Sequence, residues 1–475
     1  MNNSLPQHIL RAELFAGLPP EWPDDPFPAI QAAVHASGVK VVVLDDDPTG
    51  TQTVHGVPVL TEWPVEALRS ELANDLPACY LLTNSRSLML AEARALNAAI
   101  GRVLVEAARQ AGRAFVVVSR SDSTLRGHFP GEVEALAAAL GQDFDAWLIV
   151  PFFQAGGRYT IDDVHYVADG DRLVPAGETE FARDAVFGYR ASNLREWVAE
   201  KTGGRIPAPN VASIGLDDIR RGGPDRVAER LGSLARGAIC AVNAASARDL
   251  DVFTRGLLAA EARGKRYLYR TASSFAAVRA GIALRPPLVR AELKLPEGSG
   301  GLVVVGSYVP KTSGQVGALL ARPGVVGVEV GVEALLDDVR QRGEIARAAR
   351  AADDALSRGE DVALYTSRRL ITGDGAERSL AIGQRVSASL VALVRAITRR
   401  PRYLLAKGGI TSSDVATKGL DVRRALVIGQ ILPGVAVWEL GPESRHPGLA
   451  YIVFPGNVGG PGALAEIVEM LKVGD

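Results

Sequence analysis

The stretch VKVVVLDDDPTGTQT (39–53) opens as a β-branched apolar run and breaks into three carboxylates and a Pro-Thr-Gly-Thr turn. A mostly apolar run of that length fits a strand buried on both faces, as in a parallel sheet. The same grammar recurs in AFVVV (114–118), WLIV (147–150), AICAV (238–242), LVVV (302–305), DVALY (361–365), RYLLA (402–406) and AYIVF (450–454). Between the runs lie stretches such as AEARALNAAIGRVLVEAARQAG (91–112), whose apolar residues repeat at helical spacing. Strand, loop and helix in alternation define an α/β protein.

The segment LRPPLVRAELKLPEGSGG (284–301) gathers prolines and glycines just before a fresh cycle opens at Leu302. This predicts two Rossmann-like α/β domains, each with a mostly parallel sheet, and an interdomain cleft. Their expected limits are 36–290 and 300–475. Residues 1–35, with Pro19, Pro20, Pro23, Pro26 and Pro28, read as an extended lead-in.

Composition removes several functions. In 475 residues, 53 lysines and arginines nearly cancel 54 aspartates and glutamates, so no basic field favours nucleic acid or a membrane surface. Cys79 and Cys240 both sit in apolar runs and suit buried core thiols rather than a disulfide framework or thiolate metal site. The polar start carries no signal-peptide pattern, and no apolar run approaches a membrane span. A cytoplasmic protein is expected. No HExxH or CxxC occurs, which disfavours zinc, and His165 in DDVHYV reads as structural.

Ligands of open α/β sheets bind beyond the carboxyl ends of the strands. In the first half those ends are rich in charge. DDDPTG (45–50) supplies Asp45, Asp46, Asp47 and Thr49, costly in a buried setting unless compensated. SRSDSTLRGHFPGE (119–132) supplies Arg120, Asp122, Ser123, Arg126 and His128, and its arginines offer forks that grip a carboxylate. YLLTNSRS (80–87) adds Arg86, and WLIVPFFQAGGRYT (147–160) adds Arg158. Together they suit a ligand with a carboxylate and several hydroxyls.

The second half carries glycine loops instead. GSYVPKT (306–312) tempts a P-loop reading through Lys311-Thr312, but Pro310 stands where that motif needs glycine. LLAKGGITSSD (404–414) and FPGNVGGPG (454–462) are strands followed by glycine turns and helix starts. Glycine lets backbone approach phosphate, and helix N-termini offer free N–H groups. Nucleotide phosphate binding is the reading these loops favour. A sugar-acid oxidoreductase or lyase would need a GxGxxG turn with an acidic ribose ligand, which does not follow a strand here. A non-catalytic sugar-acid sensor would need length for an added partner module.

DDDPTGTQT, SRSDSTLRGHFPGE, GSYVPKTSGQV, KGGITSSD and PGNVGG, in that order, resemble the four-carbon acid sugar kinase family from about residue 40 to 470. The resemblance implies a kinase that uses ATP with Mg²⁺ to phosphorylate a threonate, erythronate or 3-oxo-tetronate acid. It implies partners limited to that acid and ATP, without nucleic acid or membrane, and leaves a homodimer open. By motif, ATP would meet Ser307, Gly408, Gly409, Ile410, Thr411, Gly456, Asn457 and Gly459. The sugar acid would meet the Asp-rich turn and the 120–126 loop. On this basis Asp46 or Asp47 is the expected catalytic base. Arg120 and Arg126 are the expected carboxylate grip, with Asp122 orienting hydroxyls. The Mg²⁺ ligands are unassigned, with an early aspartate or Asp414 as options.

Overall fold

The computed structural model describes residues 9–472 except 308, 369–375 and 457. The chain folds as two compact units: residues 1–50 with 62–284, and 51–61 with 285–475.

In the first unit, seven parallel strands lie in the order Ala212–Ile214, Ala238–Val242, Ala146–Val150, Tyr267–Thr271, Phe115–Arg120, Lys40–Asp45, Ala78–Leu82. Val41, Val42, Val43, Tyr80, Leu81, Val118, Leu148 and Tyr269 are fully buried, as two covered faces require. The long helix Leu90–Ala111 shows how sequence sets an element's ends. Glu92 accepts the Met89 N–H at 3.0 Å at its start, and left-handed Gly112 closes it. Strands Lys40–Asp45 and Phe115–Arg120 are neighbours, yet the chain leaves them toward opposite edges of the sheet. That reversal is where an open α/β sheet parts to admit a ligand. A four-stranded antiparallel sheet, Ile9–Leu10, Arg172–Pro175, Val164–Asp169, Arg158–Ile161, is added to this unit.

The second unit orders its strands Val57–Leu60, Arg424–Leu432, Val435–Leu440, Ala450–Phe454, Leu404–Lys407, Leu302–Val305, Asp361–Thr366, Val325–Val330. The last five are parallel and the first three pair antiparallel. Here the reversal falls between Leu302–Val305 and Leu404–Lys407.

Two features depart from the linear reading. The proline-rich start is not extended: Arg11–Ala16 and Phe27–Ser37 are helices, the latter using Pro28 in its first turn, where a missing N–H costs nothing. Ile30 and Val34 of that helix are buried with Leu258. Residues 51–61 join the second unit, where Val57–Leu60 pairs with Arg424–Leu432 and Trp438 donates to Thr51 Oγ1 at 3.0 Å. Among the described residues no helix is long and apolar enough to cross a membrane. Both cysteines are buried and free, their thiols pushed up to about 12 by burial.

Candidate functional site

Asp45 lies in register opposite Arg120, and Arg120 opposite Thr271, so the loops after three adjacent strands of the first unit start at one level. Arg120 is buried and spent internally. Its Nη1 donates to Asp45 Oδ1 at 2.8 Å and lies 3.5 Å from Asp46 Oδ1; its Nε donates to Ser273 Oγ at 3.3 Å. It is therefore a counter-ion for the aspartates rather than an open grip for an incoming carboxylate. Arg86 pairs with Asp47 Oδ2 and lies 3.6 Å from Asp122 Oδ1 and 3.9 Å from Asp46 Oδ1. Arg126 donates through Nε to Asp122 Oδ2 at 2.6 Å, with Nη1 3.6 Å from Asp184 Oδ2.

The environment separates the three aspartates. Burial pushes Asp45 up to about 7 despite the Arg120 charge. Burial also opposes ionisation of Asp47, but Arg86, Arg120 and two hydrogen bonds from Thr49 hold it below the usual carboxylate range. Asp122 is likewise held low against burial by Arg86 and Arg126. The oxygens Asp45 Oδ2 and Asp46 Oδ2 are buried without a hydrogen-bond partner. Asp45 Oδ2 is closed off by Gly50, where a Cβ would stand 2.0 Å away.

Asp46 Oδ2 instead borders a polar niche over Gly127, a residue at φ +121°. A Cβ at Gly127 would lie 3.5 Å from Asp46 Oδ2, 3.4 Å from Ser121 Oγ and 3.3 Å from Arg270 Nη2. Ser121 Oγ too has no partner. One acceptor, one hydroxyl and one guanidinium thus converge on a point that only glycine leaves vacant.

Other expected residues support rather than face this niche. His165, buried and pushed down to about 4 by burial, is neutral; its Nε2 lies 2.8 Å from the Ser123 carbonyl and its Nδ1 3.0 Å from Thr160 Oγ1. It fixes the loop carrying Ser123. His128 is tied to the Leu88 carbonyl at 3.0 Å and sets its ring edge-on to Phe187. That contact braces the loop. Arg158 faces the Phe181 ring. Sequence reading missed Arg270, whose Nη2 donates to the Arg126 carbonyl at 2.9 Å. A lone arginine inside the apolar strand YLYRT (267–271) was the available signal.

The second unit's site has another character. Val305, Lys407 and Phe454 are in register at the carboxyl edge. Beyond them, Gly408 takes φ +115°, and a Cβ there would stand 3.4 Å from Ser307 Cβ. A Cβ at Gly306 would strike Thr411 Oγ1, and one at Gly456 would approach Ser307 Oγ at 3.7 Å. Ser307, Gly408, Thr411 and Gly456 are thus brought together. Gly409 starts a short helix, Gly409–Asp414, and Ile410 on it is 67% exposed. Gly459, at φ +82°, turns the last loop into its helix, and a Cβ there would meet Ala463 Cβ at 2.6 Å. Asn457 lies outside the described residues.

Supports missed from sequence hold these loops. Thr312 Oγ1 lies 3.1 Å from Ser307 Oγ and 3.4 Å from the Gly456 carbonyl. Gln315 Nε2 donates to the Val458 and Gly460 carbonyls at 3.1 and 2.9 Å. Fully buried Lys407 donates to the Pro455 carbonyl at 2.6 Å, its Nζ 3.8 Å from the Phe454 ring centre. Burial, helped by the Lys311 charge, pulls it down to about 7.

A backbone cradle of this kind fits a nucleotide's phosphates. The carboxylates do not form a shell for a divalent cation. No three His, Cys, Asp or Glu groups gather as metal ligands among the described residues, and Asp414 is taken by Ser387 and Lys418.

Residues 41–279 match the family described as the sugar-binding N-terminal domain, and residues 302–464 the one described as the nucleotide-binding C-terminal domain. The chain belongs to the four-carbon acid sugar kinase family. It is 27% identical over 319 residues to a D-erythronate kinase of Heliobacterium modesticaldum, covering 65% of this chain and 66% of that one. It is 32% identical over 165 residues to a D-threonate kinase of Bordetella bronchiseptica, covering 33% and 38%. The matched stretches span less than two thirds of either relative. In fold it is similar to a Salmonella typhimurium LT2 protein provisionally named a tRNA synthase, at TM-score 0.67, 18% identity and 92% and 100% coverage. A Haemophilus influenzae protein, HI1011, gives TM-score 0.62, 18% identity and 91% and 100% coverage. At these identities the last two speak for the fold alone.

Proposed function

We propose that this chain is an ATP-dependent kinase that phosphorylates a hydroxyl of a four-carbon sugar acid of the erythronate or threonate type. The observation that carries the reading is the convergence over Gly127, where Asp46 Oδ2, Ser121 Oγ and Arg270 Nη2 surround the position a Cβ would take and the two oxygens have no hydrogen-bond partner. Such a niche suits a hydroxyl-bearing ligand, and the names of the related kinases agree with it.

Asp46 is the preferred base among the three aspartates. Asp47 is locked to Arg86 and Thr49, and Asp45 is shut behind Gly50. Asp46 Oδ2 would accept the hydroxyl proton while the oxygen attacks the γ-phosphorus, and the bond to the departing ADP breaks. Arg86 holds Asp47 ionised and Arg120 fixes Asp45 in place, so that Asp46 meets its substrate preorganised. In the second unit, Ser307, the Gly408–Thr411 turn and the 455–460 loop would hold the nucleotide phosphates through backbone N–H groups and hydroxyls. No step is assigned to a protein-bound metal.

Thermal unfolding with separate ligands tests the reading. Stabilisation by ATP–Mg²⁺ and, independently, by D-erythronate or D-threonate is expected. Stabilisation by NAD, or by the acid without any response to ATP, would overturn it in favour of an oxidoreductase or a sensor.

A further inference from the structure

The charges around the first site do not cancel evenly. Arg86 faces Asp46, Asp47 and Asp122; Arg120 faces Asp45 and Asp46; Arg126 faces Asp122 and Asp184. Two further arginines beside this network, Arg270 and Arg158, have no carboxylate at ion-pair distance among the described residues. Arg270 is nearly buried and gives its Nη2 to the Arg126 carbonyl, so it is committed to the loop. Arg158 remains. It is partly buried, its Nε has no hydrogen-bond partner, and its guanidinium rests 5.6 Å from the Phe181 ring centre.

Arg126 lies against the same ring at 5.1 Å. Phe181 therefore carries two guanidinium groups, an arrangement that is self-repelling unless an anion joins them. Asp122 and Asp184 satisfy Arg126, while Arg158 has only the more distant fields of Asp122 and Glu180, neither at ion-pair distance. A partly buried cation without a partner is costly, and a guanidinium's planar fork matches a carboxylate. Arg158 also stands on the first residue of the strand Arg158–Ile161, in the added antiparallel sheet, which fixes its backbone.

We propose that Arg158, on the floor made by Phe181, is the anchor for the substrate's carboxylate and makes the site select an acid over a neutral polyol. This rests on the sugar-acid kinase reading and assigns the role expected of Arg120 to a different residue. Arg120 sets the aspartates; Arg158 receives the ligand.

The test is calorimetric titration of the full-length protein with D-erythronate and with erythritol, its uncharged four-carbon analogue. The unaltered protein should bind the acid in clear preference to the polyol. Arg158→Met should weaken acid binding by roughly 10- to 100-fold, the range for a lost charged hydrogen bond, leaving erythritol and ATP binding unchanged. Arg158→Lys keeps the charge without the fork and should recover part of the preference. Unchanged ATP binding checks that each variant is folded. An Arg158→Met protein that still prefers the acid as strongly overturns the anchor and leaves the kinase reading standing. An unaltered protein that binds ATP but no four-carbon acid overturns both.

Discussion

The two candidate strand-end sites of this chain are built in opposite ways. The first is crowded with charge: Asp45, Asp46, Asp47 and Asp122 interlock with Arg86, Arg120 and Arg126 in a partly desolvated setting. The second presents glycines, hydroxyls and carbonyls, with Lys407 as a buried cation held by the Pro455 carbonyl rather than by a carboxylate. A small polyhydroxy acid has few atoms and must be recognised by side chains that read each one. A triphosphate repeats one group and can be held by backbone. The first site should therefore fail through charge and the second through shape.

The largest effect is expected from Arg120→Met. It strands Asp45 and Asp46 as buried carboxylates, and breaking a buried pair from one side costs about 3–5 kcal/mol. Chemical unfolding would measure it. A loss below about 1 kcal/mol would show that the network is not internally held. Next comes Asp46→Asn, expected to lower turnover at least ~100-fold, the usual floor for a lost general base, with ATP affinity unchanged. Asp47→Asn should do less, because its carboxylate is already taken by Arg86 and Thr49.

Substitution at the second site tests shape. Gly408→Ala places a side chain at φ +115° beside Ser307 and should raise the ATP KM roughly tenfold, as about 1–2 kcal/mol of left-handed strain would. Acid binding should be untouched. A pH-dependent test concerns Lys407. Its folded value, lowered to about 7, means the native state releases a proton that the unfolded chain keeps. Its contribution to stability therefore rises with pH above about 7 and levels off near the ordinary lysine value. The difference in unfolding free energy between the unaltered protein and Lys407→Met should follow that course. A difference flat from pH 7 to 10 would return Lys407 to an unperturbed lysine.

The alternation of apolar strands and helices was legible because a strand buried on both faces is apolar along nearly its whole length. The glycine loops were legible for a related reason: Gly408 and Gly459 occupy conformations that side chains resist. What stayed hidden was pairing. Nothing in SRSDSTLRGHFPGE tells which arginine is consumed by the chain's own aspartates, since Asp45 and Arg120 meet only when their strands come into register. The placement of residues 51–61 in the second unit depends on a strand partner more than 360 positions away, as Thr61 and Val422 illustrate. Arg270 and Lys407 were visible as charges at the ends of apolar runs, and that anomaly was the usable sign.

In the proposed kinase, a side-chain site for a sugar acid and a backbone site for a nucleotide serve one phosphoryl transfer. Coupled measurement of ADP release, with ATP–Mg²⁺ and a panel of four-carbon sugar acids, addresses it most directly. Release dependent on an erythronate- or threonate-type acid, and lost in Asp46→Asn, is predicted. ADP release that no acid in the panel stimulates, or that Asp46→Asn leaves intact, would contradict it.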